Sequence, residues 1–363
     1  MSLELKGIRK AFRTNVAVDD VSLDVADGEI VVVFGPSGTG KTVLLRIAAG
    51  IHDVDAGQVL IDGRDVTTES PDARGLGMAF QNFALFPHMT AFDNVASALR
   101  ARKATRAEIA EKVEAVGRLL KIDHVLSHYP RELSNGQKQR TALARALVAE
   151  PKVLLLDDPL RNVDAKLRYE MRLELPNILK RFGSAVLYVT QDYKEAMALG
   201  DRIALLLHGR ITQVAAPAQI YELPASVEVA RLFGDPTINL VAVDPVADRE
   251  EVAISIANTR LNLGKGLRHA VGLSCTLGVR PEAINLHAGP QPNSLPVEII
   301  AETPLNEKTV VLTKAADGQE LLASRPSGSS VRLANGRAYA AFDPAAALIF
   351  ERDSGRRIER RAA

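Results

Sequence analysis

The sequence predicts a two-domain chain. An α/β core with a phosphate-binding loop, an antiparallel β layer and an inserted helical subdomain is followed by a small all-β barrel. Three observations carry this expectation. Four short apolar runs, Ile30 to Phe34, Val153 to Leu156, Ala185 to Val189 and Ile203 to Leu207, lack alternation, as strands covered on both faces of a parallel sheet do. A glycine-rich loop, Gly35 to Thr42, separates the first run from a helical pattern. After Phe233-Gly234-Asp235-Pro236 the texture changes to short strands and turns.

Along the chain, Leu3 to Ile8 and Val21 to Val25 alternate and read as the antiparallel layer. Thr42 to Ala49 is helical, with Gly50 as its C-cap. From residue 83 to 150 lies the helical subdomain, where Arg106 to Lys121 and Gly136 to Glu150 form helices. This alternation of strands and helices indicates an α/β nucleotide-binding core over residues 1–236. Residues 237–363 form the second domain, with strands at Thr276 to Arg280 and Pro296 to Ile300. Its turn signals are Ala316-Asp317-Gly318 and Ala334-Asn335-Gly336. The basic end, Arg352 to Arg361, has no interleaved aromatics and reads as a solvated tail.

Composition narrows the function classes. A chain of 363 residues exceeds one ordinary core. Its 47% hydrophobic and 25% charged residues exclude a largely disordered chain. With 45 Lys and Arg against 44 Asp and Glu, the net charge of +1 gives no electrostatic footprint for nucleic acid. The one cysteine, Cys275, has no internal partner, which fits a reducing cytosol. The opening MSLELKGIRK carries charges and lacks the apolar core of a signal peptide. No run reaches the ~18 apolar residues of a membrane span. The seven histidines show no HExxH or comparable ligand spacing, which argues against a metal hydrolase.

Gly35-Pro36-Ser37-Gly38-Thr39-Gly40-Lys41-Thr42 matches GxxxxGK[ST] between a strand and a helix, the setting of a P-loop NTPase. The glycines let backbone N–H groups close around phosphates, and the helix N-terminus adds positive potential. Lys41 is placed to reach the β- and γ-phosphates, and the Thr42 hydroxyl to complete a Mg²⁺ shell. ATP or GTP is the expected ligand. Val153-Leu154-Leu155-Leu156-Asp157 is an apolar strand ending in an acid, which can bring a carboxylate to that metal. Leu133-Ser134-Asn135-Gly136-Gln137 opens a helix and reads either as a plain Ser N-cap or as an anion site.

LSNGQ closely resembles the LSGGQ signature of the ABC ATPase family, with Asn135 as the departure. The following run, Lys138 to Leu147, is also similar to the family's. Phe80-Gln81-Asn82-Phe83-Ala84-Leu85-Phe86-Pro87-His88-Met89-Thr90 looks like its Q-loop. The resemblance spans residues 3 to about 235 in the family's order. It implies ATP and Mg²⁺ as cofactors, with Thr42, Gln81 and Asp157 around the metal. It also implies Phe12 stacked on adenine, Val18 among the ATP-binding residues and Asp164 as the D-loop acid. Ser134, Asn135, Gly136 and Gln137 would complete the site of a partner subunit. The remainder, with Gly278-Val279-Arg280-Pro281-Glu282, resembles the OB-like accessory (TOBE) barrel of carbohydrate-uptake ATPases of maltose type.

The chain departs from the family at the hydrolytic step. Asp158 stands where the family has glutamate, Gln191 where it has the switch histidine, and Arg161 where its D-loop has serine. Asp158 is shorter than Glu by one bond of about 1.5 Å, and a ~1 Å misplacement can cost on the order of 10²-fold in rate. Gln191 can hydrogen-bond a phosphate but cannot carry charge. The expectation is an impaired site; the alternative is tolerated drift in a slow enzyme. In the family, two ATPase subunits bind head to tail. An impaired site therefore points to a different, fully competent second ATPase subunit. The other implied partners are two transmembrane permease subunits and an extracytoplasmic solute-binding protein, with no nucleic acid. The expected location is peripheral, on the cytoplasmic face of the inner membrane, in the import of a sugar, polyol or glycerol-type solute. A homodimeric slow ATPase and a non-hydrolysing regulatory subunit are the other readings.

Overall fold

The computed structural model describes residues 2–328 and 336–360. Residues 334–335 of the expected turn and Arg361 of the basic tail lie outside the described residues. The chain forms two compact units, Met1–Ile220 and Tyr221–Ala363.

In the first unit, β1 (Leu3–Phe12) and β2 (Asn15–Val25) lead to β3 (Ile30–Phe34) and α1 (Lys41–Ala48). Next come β4 (Ala56–Ile61), β5 (Arg64–Asp65) and β6 (Gly77–Ala79). The helical insertion holds α2 (Ala91–Ala101), α3 (Arg106–Leu119) and α4 (Asn135–Leu147). The chain returns through β7 (Val153–Asp157), α5 (Ala165–Phe182), β8 (Ala185–Thr190), α6 (Tyr193–Leu199), β9 (Arg202–Leu207) and β10 (Arg210–Ala215). Two sheets result. One is antiparallel in the order β2-β1-β4-β5, and the other runs β10-β9-β3-β8-β7-β6.

The four apolar runs are the parallel centre of the second sheet. β3, β7 and β8 are buried at every residue, so each side chain has a covered face to enter and no alternation is needed. Their register matters for function. Phe34 pairs with Thr190, and Asp157 with Val189. The carboxyl ends of β3, β7 and β8 therefore lie side by side, at the edge where open α/β sheets bind ligands.

The helices start where their caps dictate. Thr105 accepts from Glu108 N while Glu108 accepts from Thr105 N, and Ser134 and Gln137 make the same capping box at α4. Asp164 accepts from Leu167 N to open α5. Gly50, with φ 76, closes α1 as expected of a residue beyond a helix end.

The division between units falls at Tyr221, ahead of the expected boundary at residue 236. Arg280 accounts for this. Its guanidinium stacks 3.6 Å from the Tyr221 ring centroid and donates to the carbonyls of Phe233 and Tyr221, at 2.6 Å each. The segment before residue 236 is thus tied to the β-rich unit. The described residues of that unit form three antiparallel sheets, of four, three and five strands. Val241, Val252, Leu277, Leu295 and Val311 from these sheets meet in one apolar core. Among the described residues no helix is long and apolar enough to cross a membrane.

Candidate nucleotide-binding site

The loop after β3 enters α1 through two glycines in left-handed backbone, Gly38 (φ 83) and Gly40 (φ 98). At Gly40 a Cβ would stand 2.1 Å from the Ala17 carbonyl oxygen. Only glycine lets the loop approach β2 that closely. Val18 belongs to this contact: it is fully buried, with Cγ2 3.2 Å from the same Cβ position. It lies under the loop, while Phe12 is 43% exposed and offers a ring to solvent.

Lys41 folds back onto its own loop. Its Nζ donates to the carbonyl oxygens of Gly35 at 2.7 Å and Pro36 at 2.6 Å. Burial lowers its pKa from the ordinary lysine value, against the pull of Asp158 and Asp157. Thr39 Oγ1 donates to the Pro36 carbonyl at 3.0 Å and closes the turn.

Thr42 Oγ1 donates to Asp157 Oδ1 at 3.0 Å, so the two expected metal-facing oxygens are together. A hydroxyl and a carboxylate are the hard oxygen donors that Mg²⁺ prefers, with phosphate and water completing its shell. The donor set fits Mg²⁺ held jointly with nucleotide phosphates. Among the described residues no cluster of three or more His, Cys, Asp or Glu could hold a metal ion. Burial raises the Asp157 carboxyl above its ordinary value, opposed by the Thr42 hydroxyl.

Asp158 follows in left-handed backbone, φ 43, with its N–H donating to the Val189 carbonyl at 2.8 Å. Both its carboxylate oxygens are engaged. Thr190 Oγ1 is 3.4 Å from Oδ1, and Arg161 Nη1 is 3.6 Å from Oδ2. Burial raises its pKa, and the Arg161 guanidinium opposes the shift. Across the mouth of the loop, Ser37 Oγ donates to Gln191 Oε1 at 2.6 Å. The structure thus brings together Ser37, Lys41, Thr42, Asp157, Asp158 and Gln191.

The Q-loop and signature make no described side-chain hydrogen bond to this group. Among the described residues, no hydrogen bond joins the Gln81 side chain to Thr42 or Asp157. Gln81 is instead held by its backbone, whose carbonyl accepts from Asn162 Nδ2 at 2.7 Å. Ser134 and Gln137 are spent on the capping box of α4, and no described hydrogen bond links them to the phosphate loop. Gly136 faces Leu167 of α5: a Cβ there would be 2.1 Å from Leu167 Cδ2.

Three residues to which the sequence assigns no role shape the site. Thr190 and Glu195 sit behind Asp158, with Glu195 donated to by the Thr190 hydroxyl at 2.9 Å. Arg145 of α4 donates to the carbonyls of Ala84 at 2.7 Å and Phe83 at 3.1 Å, pinning the Q-loop turn. A signal for Glu195 existed: it is a charge on the same face of α6 as Ala196 and Leu199, all three buried. Arg145 carried none, since the carbonyls it binds are about sixty residues away in sequence.

The chain is similar to known proteins. The family model described as ABC transporter matches residues 18–161, and the TOBE domain model matches residues 277–350. The chain is 39% identical over 357 residues to the sn-glycerol-3-phosphate import ATP-binding protein UgpC of Cereibacter sphaeroides, covering 98% of this chain and 99% of that one. It is 42% identical to the uncharacterized ABC transporter ATP-binding protein YurJ of Bacillus subtilis, covering 79% and 80%. Among solved structures it resembles a dimeric ATP-binding cassette in a post-hydrolysis state bound to ADP and Pi. That match has a TM-score of 0.54 and 28% identity, over 59% of this chain and 98% of the other. The chain belongs to the ABC transporter family, as an ATP-binding subunit with a C-terminal TOBE domain.

Proposed function

We propose that this chain couples ATP binding and hydrolysis to solute import, that its own hydrolytic site is impaired, and that it pairs with a different, competent ATPase subunit. The family binds ATP with Mg²⁺. Bound Mg²⁺ neutralises charge on the phosphates and supplies the electrophilic help of the reaction. Lys41 leaves its loop carbonyls for phosphate, Thr42, Asp157 and Gln81 hold the metal, and Phe12 stacks on the base. Val18 supports the loop from below.

The arrangement of Asp158 carries the impaired-site reading. Its carboxylate is one methylene shorter than glutamate and is drawn aside toward Arg161. Gln191 is bonded to Ser37 and brings no charge to a leaving phosphate. In a head-to-tail pair, Ser134, Asn135, Gly136 and Gln137 complete the partner's site, with Asp164 shaping the turn between subunits. This chain then contributes a working signature to a faster partner, while its own site holds ATP and stabilises the closed pair. The Q-loop region conveys closure to two permease subunits, and a solute-binding protein delivers the cargo outside. The subunit lies peripherally on the cytoplasmic face of the inner membrane. A glycerol-type or sugar solute is favoured by the relative named for sn-glycerol-3-phosphate import.

ATP hydrolysis by the chain alone, and co-expressed with its neighbouring transporter subunits, tests this. We expect little activity alone, a large gain in Asp158→Glu/Gln191→His, and full turnover only with a second ATPase subunit. Vigorous hydrolysis by the unmodified homodimer would mean that Asp158 and Gln191 suffice, and the asymmetric pair would be wrong.

A further inference from the structure

A buried hydrogen-bonded chain behind Asp158 is not used by the phosphate chemistry above. Glu195, 1% exposed on α6, accepts from Tyr188 OH at 2.8 Å and from Thr190 Oγ1 at 2.9 Å, both at Oε2. The same Thr190 hydroxyl lies 3.4 Å from Asp158 Oδ1 and accepts from the Asp192 N–H at 3.0 Å. A hydroxyl has one proton to give, so Thr190 can serve Glu195 or Asp158 but not both. An ionised Glu195 is an acceptor only and takes the Thr190 proton. A protonated Glu195 donates to Thr190 Oγ1 instead, and the Thr190 proton turns to Asp158.

We propose that Glu195 is a positioning residue for hydrolysis: its protonation state decides, through the Thr190 hydroxyl, whether Asp158 is held for the reaction. The proposal rests on the reading of Asp158 as the carboxylate at the hydrolytic position.

The surroundings set this switch in a useful range. Burial raises the Glu195 carboxyl to about 7, opposed by the hydrogen bonds from Tyr188 and Thr190 and reinforced by Asp192 and Asp158. From β8 the facing groups are Tyr188 and Thr190, and from the end of β7 it is Asp158. On its own helix Asp192 faces it, with Arg168 and Arg172 of α5 paired to that carboxylate. β3, which also packs on α6, carries only Ile30, Val31, Val32, Val33 and Phe34.

Carboxyl ¹³C NMR of the full chain, labelled at Asp and Glu and assigned with Asp158→Asn and Glu195→Gln, tests this. We expect Glu195 to titrate with a midpoint of about 7 and the Asp158 signal to move with it. That movement should vanish in Glu195→Gln and in Thr190→Val. An Asp158 signal that ignores the Glu195 titration, or still moves in Thr190→Val, overturns the proposal. Single-turnover hydrolysis over the same pH range should be about ten-fold faster on the acid side, the worth of one charge-assisted hydrogen bond. Glu195→Gln should hold the acid-side rate throughout, and Thr190→Val the alkaline-side rate. A merely structural Glu195 would lower the rate at every pH and leave the step in place, which also overturns the switch. Undiminished hydrolysis in Asp158→Asn would instead remove the reading of Asp158 on which the proposal stands.

Discussion

Ser37 Oγ donates a 2.6 Å hydrogen bond to Gln191 Oε1, tying the phosphate loop to the end of β8 across the place where a terminal phosphate must enter. A histidine here could be charged; the glutamine amide offers only a neutral N–H. Under the proposed function Gln191 senses the third phosphate, and its loss should be felt by ATP and not by ADP.

Gln191→Ala is expected to weaken MgATP binding about ten-fold, the loss of one hydrogen bond to a charged group, while MgADP binding stays as it was. Isothermal titration of the two nucleotides reads the difference. Equal losses for both would show that Gln191 only props the loop.

The two left-handed glycines of the loop should respond differently to a methyl group. At Gly38 (φ 83) nothing lies within 4 Å of a Cβ. Gly38→Ala then costs only backbone strain, about 1–2 kcal/mol. At Gly40 (φ 98) the same methyl meets backbone, the Ala17 carbonyl oxygen at 2.1 Å. Backbone cannot swing aside as a side chain does, so Gly40→Ala should cost on the order of 3 kcal/mol or more and abolish nucleotide binding. Thermal melts with and without MgATP would separate the two variants. Comparable losses would mean that β2 yields to the loop.

The contrast between these glycines marks where sequence reading stops. The motif GxxxxGK[ST] announces both, because the strand before it and the helix after it are local patterns. It cannot say which glycine touches β2, since Ala17 and Gly40 meet only through the fold. The same holds for the strand ends. Asp157 was legible as the acid closing an apolar run and Asp158 through the family resemblance, yet Thr190 comes to Asp158 only by the register that sets Asp157 beside Val189. The compact units divide ahead of residue 236 for a related reason. Tyr221 and Phe233 look like the end of the α/β part until Arg280, far along the chain, takes hold of both.

Arg145 should matter for coupling more than for nucleotide. It donates to the carbonyls of Phe83 and Ala84, which sit in left-handed backbone at φ 63 and 47. Its Cζ also lies 5.6 Å from the Phe86 ring centroid. A half-buried guanidinium that pins two strained residues keeps the turn in one shape. Under the proposed role of this segment at the permease, Arg145→Ala should leave MgATP affinity unchanged and lower transport in the reconstituted importer about ten-fold, the scale of one or two charged hydrogen bonds. Unchanged transport would show that the turn keeps its shape without Arg145, or that it does not convey closure.

Glu195 also sets a dependence of stability on pH, separate from any effect on rate. Its carboxyl is raised from the ordinary 4.5 to about 7 in the folded chain. The folded state therefore holds a proton that the unfolded state releases earlier. The resulting stabilisation is fully present below the unfolded value and is lost as pH rises through about 7. The shift corresponds to about 3 kcal/mol. Glu195→Gln keeps the shape and removes the titration. Its denaturation midpoint, measured against the unmodified chain, should gain relative stability as pH rises from about 4.5 to about 7 and level off above that. Parallel pH profiles for the two chains would mean that Glu195 keeps an ordinary carboxyl pKa despite its burial, with Arg168 and Arg172 reaching it through Asp192.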